Sequence, residues 1–116
     1  MNFSLKLKKE EIQIEGLDGT EHAYTINELN GKRRDGFLNS IGGRMKFNAA
    51  GKTSGLKSYE DLQAGLLTLC LKDENNEYVT MTALQDWPSS VLTELFTIAS
   101  KLSGLDKGEE VEPKND

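Results

Sequence analysis

The sequence has few of the residues that build catalytic and metal centres, with one cysteine, Cys70, and one histidine, His22, among 116 residues. A single cysteine excludes an internal disulfide and a zinc site built from several cysteines. A metal or general-base site at His22 would need carboxylate or imidazole partners at a recognisable spacing, and the sequence shows none. We therefore predict no catalytic residue, no metal site and no cofactor.

Both residues have a structural interpretation instead. His22 lies in an alternating segment, which predicts a partly buried histidine in a strand. Cys70 ends an apolar stripe with helical spacing, where a free cysteine usually behaves as a small hydrophobic residue.

Long hydrophobic runs are also missing. No segment approaches the roughly 18–20 apolar residues needed to cross a bilayer. Residues 1–9 alternate lysine with apolar residues and contain no signal-peptide core. We therefore expect a cytoplasmic protein without membrane contact, and its length predicts one small domain.

Positive charge is scarce overall but concentrated in one stretch. The formal charge of the chain is −5, whereas residues 31–57 hold seven basic residues and one acid, a net +6. All three arginines lie there, at Arg33, Arg34 and Arg44. This stretch could meet an acidic partner, such as nucleic acid, or the protein's own acidic regions.

The first regular elements form a predicted β-hairpin. Apolar residues alternate over 10–14 and again over 21–26, as in half-buried strands. Gly16-Leu17-Asp18-Gly19 between them has the composition of a turn. The same alternation at Phe3, Leu5 and Leu7 allows a third strand, although the following charged run could equally be a bend.

Three helical segments are predicted next. Asn27 is a candidate N-cap for a first helix whose apolar spacing extends to Met45, with a stop or bend at Gly42-Gly43. Residues 48–58 are small and polar and predict a loop. A second helix opens near Ser58 and runs to Cys70. After a polar turn at 73–76, a capping pattern at 82–85 predicts a short helix that Pro88 ends at Trp87.

The last helix has the clearest pattern. Its apolar face is broad, and Gly104-Leu105 has the form of a glycine C-cap. Residues 106–116 carry five acids and two lysines and are predicted to be disordered. The fold class is therefore α+β: a single domain over 1–105, with an N-terminal hairpin, about three helices and an acidic tail at 106–116.

Two residues have open interpretations. Arg33 falls on the apolar stripe of the first helix, which predicts that its stem packs while its guanidinium pairs with an acid. Ion pairs such as Glu28 with Lys32 would also absorb the basic residues within the protein. Trp87 could anchor the last helix on the core or serve as an interaction hot spot, and the width of that helix face leaves room for a partner.

Four short segments follow one another along the chain, namely Ile26 to Asp35, Leu62 to Leu71, Trp87 to Val91 and Ala99 to Leu105. Their order resembles the tail assembly chaperones of long-tailed bacteriophages. In that family a "Leu-x-Gly-x-x-Arg-Asp" helix, a leucine-rich central helix, a Pro-initiated last helix ending in "Leu-x-Gly-Leu" and an acidic tail recur in this order.

The resemblance implies a non-enzymatic protein that coats the hydrophobic tape measure protein before the tail tube polymerises around it, and then leaves. Exposed apolar helix faces and moderate acidity suit such a role. We expect weak self-association as well. The alternative is a small nucleic-acid-binding or regulatory module that uses residues 31–57. Candidate contact positions for the tape measure protein are Arg33, Arg34, Phe37, Trp87 and Phe96.

Overall fold

The computed structural model describes residues 2–42, 45–47, 53–56 and 62–105, and side chains over 2–41 and 62–105. Five strands and four helices lie in these ranges, and the α+β class is confirmed. In chain order they are β1 Lys9–Glu15, β2 Glu21–Asn27, α1 Gly31–Gly42, β3 Met45–Phe47, β4 Thr53–Leu56, α2 Leu62–Cys70, β5 Leu71–Lys72, α3 Met81–Gln85 and α4 Ser89–Leu102.

The predicted hairpin is confirmed. Strands β1 and β2 pair antiparallel with Ile12 opposite Tyr24. The turn between them is closed by Asp18, whose Oδ1 accepts the backbone N–H of Thr20 at 3.0 Å. Gly19 has a φ of +81°, a left-handed conformation that favours glycine.

The third strand of this sheet comes from β5 and not from the chain before β1. The strand order is β1-β2-β5, with Ile26 of β2 opposite Leu71 of β5. Residues 2–8 form no strand, and Phe3 and Leu5 are fully exposed. A strand at residues 3–7, which the sequence allowed, is therefore absent from the protomer.

The hydrophobic core lies between the sheet and helices α2 and α4. Helix α2 supplies the completely buried side chains of Leu66 and Leu67. Helix α4 packs on it through Leu95 and Ala99. Because the core-facing side chains of α2 touch both the sheet and α4, this short helix is the centre of the fold.

Helix α1 begins later than its sequence pattern predicted. Asn30, and not Asn27, is its cap, because Asn30 Oδ1 accepts the backbone N–H of Arg33 at 2.9 Å. Asn27 is still paired in β2. The helix ends at Gly42, which confirms the stop predicted at Gly42-Gly43, and the apolar spacing up to Met45 does not continue the helix because Met45 begins β3. The prediction of a loop at 48–58 is wrong at Thr53–Leu56, because these residues form β4. The other residues of the predicted loop lie outside the described ranges.

Helix α3 also begins elsewhere. Thr80 is its N-cap and accepts the backbone N–H of Ala83 at 3.2 Å, so the predicted capping pattern beginning at Thr82 is two residues out of place. The helix ends at Gln85, before Trp87, and Pro88 serves as the N-cap of α4. The polar turn at 73–76 is confirmed by the hydrogen bond from Asn76 N to Asp73 O, at 2.9 Å.

The end of α4 agrees with its sequence pattern. Gly104 has a φ of +72° directly after the C-cap Ser103. The Ser103 hydroxyl accepts the backbone N–H of Leu29 at 3.0 Å, in a buried hydrogen bond that ties α4 to the entry of α1. Ser58 and the predicted disordered tail, 106–116, lie outside the described residues. Within those residues, no helix combines the length and the apolar character needed to cross a membrane.

Candidate functional site

A groove of about 630 Å³ runs between α1 and α2. Phe37 and Leu69 supply apolar surface, while Lys32 and Arg33 supply positive charge. The remaining lining residues are Asn30, Gly36, Ser40 and Gly65. The groove therefore combines an apolar floor with cationic side chains.

Two glycines, one on each helix, keep the groove open. A Cβ atom built at Gly36 or at Gly65 would meet no heavy atom within 4 Å. Neither glycine is required by its backbone angle, since both lie within helices. A Cβ atom at either position would project into open space, so the two glycines leave room beside Phe37 and Leu69.

Arg33 is held in place by two contacts. Its Nη1 donates to the carbonyl oxygen of Leu69 at 2.7 Å. Its Cζ lies 4.4 Å from the centroid of the Tyr78 ring, a cation–π contact. The prediction that Arg33 pairs with an acid is wrong among the described residues, because a carbonyl and an aromatic ring take that place. Its half-buried stem agrees with the prediction.

A second cation approaches the same ring. Lys72 Nζ lies 4.9 Å from the Tyr78 centroid. These residues line a smaller cleft of about 200 Å³, which shares Asn30, Arg33 and Leu69 with the groove. No carboxylate of the described residues lies within 4.0 Å of either cation. The two adjoining cavities thus carry positive charge, and their cations have further N–H groups that can donate hydrogen bonds.

Glu28 also lines the smaller cleft, but its carboxylate has a local partner. Its Oε1 accepts the backbone N–H of Lys8 at 2.9 Å. The expected ion pair between Glu28 and Lys32 is therefore not formed in the described structure. Of the seven basic residues in the stretch 31–57, only Lys32, Arg33 and Arg34 have described side chains, so the role of the stretch as a unit stays a prediction.

The five residues predicted from sequence lie in different places. Arg33 and Phe37 both line the groove, although Phe37 is only 5% exposed and packs mainly into the core. Arg34 is half-buried and does not line it. Trp87 meets the Tyr24 ring edge-on, with centroids 5.5 Å apart, and packs against the core. Phe96 is half-buried on α4.

The broad apolar face of α4 is used within the fold. Its seven apolar residues are buried or half-buried against the core: Val91, Leu92, Leu95, Phe96, Ile98, Ala99 and Leu102. The large hydrophobic residues that are exposed in the described chain lie elsewhere, mostly before β1 and in the first turn. The candidate surface is consequently the groove on α1 and α2, which the sequence did not single out.

His22 has carboxylate neighbours that its sequence context did not reveal. Its Nδ1 lies 3.2 Å from Oε1 of Glu74, 52 residues away. Its Nε2 lies 3.0 Å from the Thr20 hydroxyl and 3.5 Å from Asp18 Oδ2. The hydrogen bond with Glu74 raises the pKa of His22, burial opposes that rise, and the Asp18 charge adds to it. Described residues form no group fit to hold a metal ion.

Cys70 is a buried structural residue, as predicted. Its Sγ–H points to the carbonyl oxygen of Leu66 at 3.4 Å. Burial raises the pKa of the thiol to about 12, which keeps it protonated at neutral pH. A protonated thiol is a poor nucleophile and a poor metal ligand.

Sequence reasoning missed Lys72, Tyr78 and the two groove glycines. Tyr78 carries no functional signal in the sequence, because its approach to Arg33 depends on how the turn at 73–76 folds back. The chain matches no family model, no curated protein and no solved structure.

Proposed function

We propose that the protein is a non-enzymatic tail assembly chaperone of a bacteriophage or prophage, which binds the tape measure protein during tail morphogenesis. The proposal joins the ordered motifs of the sequence to the groove between α1 and α2. It places the protein in the cytoplasm of the host cell, where such an assembly would take place.

The observation that carries the proposal is the glycine-lined groove. Phe37 and Leu69 offer apolar contact, and the open space above Gly36 and Gly65 allows another chain to approach closely. A groove between two helices suits an amphipathic helix, which inserts apolar side chains spaced one turn apart. A long apolar client offers many such segments, so one modest groove can bind it repeatedly.

The cations at one end of the groove would fix the direction in which a client helix binds. Arg33 and Lys72 converge on Tyr78 and have no carboxylate partner among the described side chains. A client segment with an acidic residue beside its apolar stripe would place a carboxylate there. Such charge complementarity mainly fixes orientation and register and contributes less to affinity.

Co-expression with the tape measure protein of the same genome, followed by pull-down, tests the proposal. We expect a complex and an increase in soluble tape measure protein. If the tape measure protein stays soluble unaided and no complex forms, the proposal fails.

A groove variant locates the binding site. Gly65→Met places a long side chain in the groove, and its Cβ atom would have no heavy atom within 4 Å. Methionine also has a higher helix propensity than glycine, which favours α2. We expect loss of the complex without loss of thermal stability. Gly31→Met is the matched control, because Gly31 is equally open, begins α1 and does not line the groove. Equal binding by both variants would exclude the groove as the client site.

A further inference from the structure

The segment before β1 exposes apolar side chains in an alternating pattern. Phe3 is 87% exposed, Leu5 103% and Leu7 49%. Successive residues of an extended chain point to opposite faces, so these three would share one face and Ser4 and Lys6 the other. This is the pattern of a strand, yet residues 2–8 form no strand in the protomer.

The neighbouring strand has an unpaired side. β1 is at the edge of the sheet order β1-β2-β5 and pairs with β2 alone among the described strands. Its outer edge therefore presents backbone N–H and C=O groups along seven residues, Lys9–Glu15. Exposed edges of this kind are templates for adding a further strand.

A cleft lies beside this edge on the side that faces the helices. Its volume is about 300 Å³, and it is lined by Lys8 and Glu10 with Ile98, Lys101 and Leu102 of α4. A strand added to β1 would direct every second side chain toward Ile98 and Leu102. Apolar side chains at those positions would cover apolar surface that is half-exposed in the protomer.

The segment cannot fill this place in its own protomer. It continues directly into β1, and the Lys8 carbonyl accepts the backbone N–H of Glu28 at 2.7 Å, which holds Lys8 in line with the hairpin. Folding back onto β1 would need a tight turn just before that strand, and residues 5–10 contain no glycine, proline, asparagine, aspartate or serine.

We propose that residues 2–8 add as a strand to the outer edge of β1 of a second copy of this chain. The charges agree with that occupant. With Phe3 and Leu5 turned toward the cleft, Lys6 lies on the solvent face beside Glu11 and Glu15 of the other copy. Opposite charges on neighbouring strands favour pairing. A seven-residue segment buries less than a standard interface, so the association is weak.

Sedimentation velocity of the full chain over a concentration series tests this assembly. We expect reversible association, and Phe3→Ser with Leu5→Ser should raise the dissociation constant by about tenfold or more. Leu17→Ser is the matched control, because Leu17 is 112% exposed at the hairpin turn and lies outside the segment. A chain that stays monomeric up to about 1 mM overturns the proposal. So does equal weakening by the control.

Disulfide trapping identifies the partner surface. Lys6→Cys protein is mixed with Glu11→Cys, Gln13→Cys or Glu15→Cys protein, and Cys70 does not interfere because it is buried. We expect a mixed disulfide with at least one of the three and none with Leu17→Cys. Oligomers that form no mixed disulfide with β1 would place the contact elsewhere and overturn the proposal. This holds even if the oligomers require residues 2–8 and not residues 106–116, because the segment would then contact another surface.

Discussion

Helices α1 and α2 line the same groove, but they are attached to the fold in different ways. Four of the nine residues in α2 are buried, Ala64, Leu66, Leu67 and Cys70, and three of those are completely inaccessible. In α1 only Phe37 is buried among the residues whose side chains are described. Arg33 supplies a second attachment through Leu69.

The difference separates two tasks. Helix α2 holds the core together, so its side chains are fixed by packing on several sides. Helix α1 lies on that framework through Phe37, the half-buried Ile41 and the Arg33 guanidinium, and most of its other described side chains face solvent. Thin attachment of this kind lets a helix open locally at a lower free-energy cost than global unfolding.

The largest expected effect tests the central role of α2. Leu67→Ala removes a completely buried side chain and should lower the free energy of unfolding by about 2–5 kcal/mol. Urea denaturation followed by circular dichroism measures this. A loss below about 1 kcal/mol would mean that α2 is not the centre of the core.

Phe37→Ala tests whether α1 is held to the core by only a few side chains. The lost burial is worth about 2 kcal/mol, and we expect it to appear mainly as faster hydrogen exchange of α1 amides. Amides of α2 and α4 should keep most of their protection. If exchange accelerates equally in all three helices, α1 unfolds with the core and the distinction between the helices is wrong.

Gly65→Ala gives a smaller effect of opposite sign. Alanine has higher helix propensity and its Cβ meets no neighbour, so stability should rise by about 0.5–1 kcal/mol. Thermal unfolding measures it. The contrasting variant is Gly104→Ala, which should destabilise because φ there is +72°. A loss of stability in Gly65→Ala would show that the groove is less open than described.

The smallest effect concerns the contact between His22 and Glu74, which belong to neither helix. The pKa of His22 is raised from 6.5, so protonated His22 stabilises the fold. That stabilisation is complete below the unfolded pKa and is lost as pH rises through the folded pKa. The free energy of unfolding should therefore fall slightly as the pH is raised from below 6.5, and the fall should be smaller in Glu74→Gln. An unchanged pH profile in Glu74→Gln would contradict the contact.

Local patterns predicted the elements whose stabilising contacts are also local. The hairpin followed from the alternation around Ile12 and Ile14 and from the glycines of its turn, and the end of α4 followed from Gly104. Helix boundaries were less predictable, because Asn27 and Asn30 are both acceptable caps. Asn27 is taken by its pairing in β2, a tertiary constraint that cap preferences do not contain.

The candidate site was only partly predictable for a related reason. The position of Arg33 on an apolar stripe indicated a packed stem, but its partners Leu69 and Tyr78 are brought close only by the packing of α2 and the following turn. Glu74 meets His22 across 52 residues in the same way. Composition and spacing cannot identify such partners, because each depends on elements that are distant in sequence.

The hydrogen bond between Leu29 and Ser103 has a consequence for synthesis on the ribosome. The two residues are 74 positions apart, whereas the strands of the hairpin are joined by a short turn. The hairpin can therefore form as soon as it emerges, but the hydrogen bond at the entry to α1 cannot form until all of α4 and Ser103 have been translated. The groove therefore acquires its final shape only after the nascent chain has been completed past Ser103.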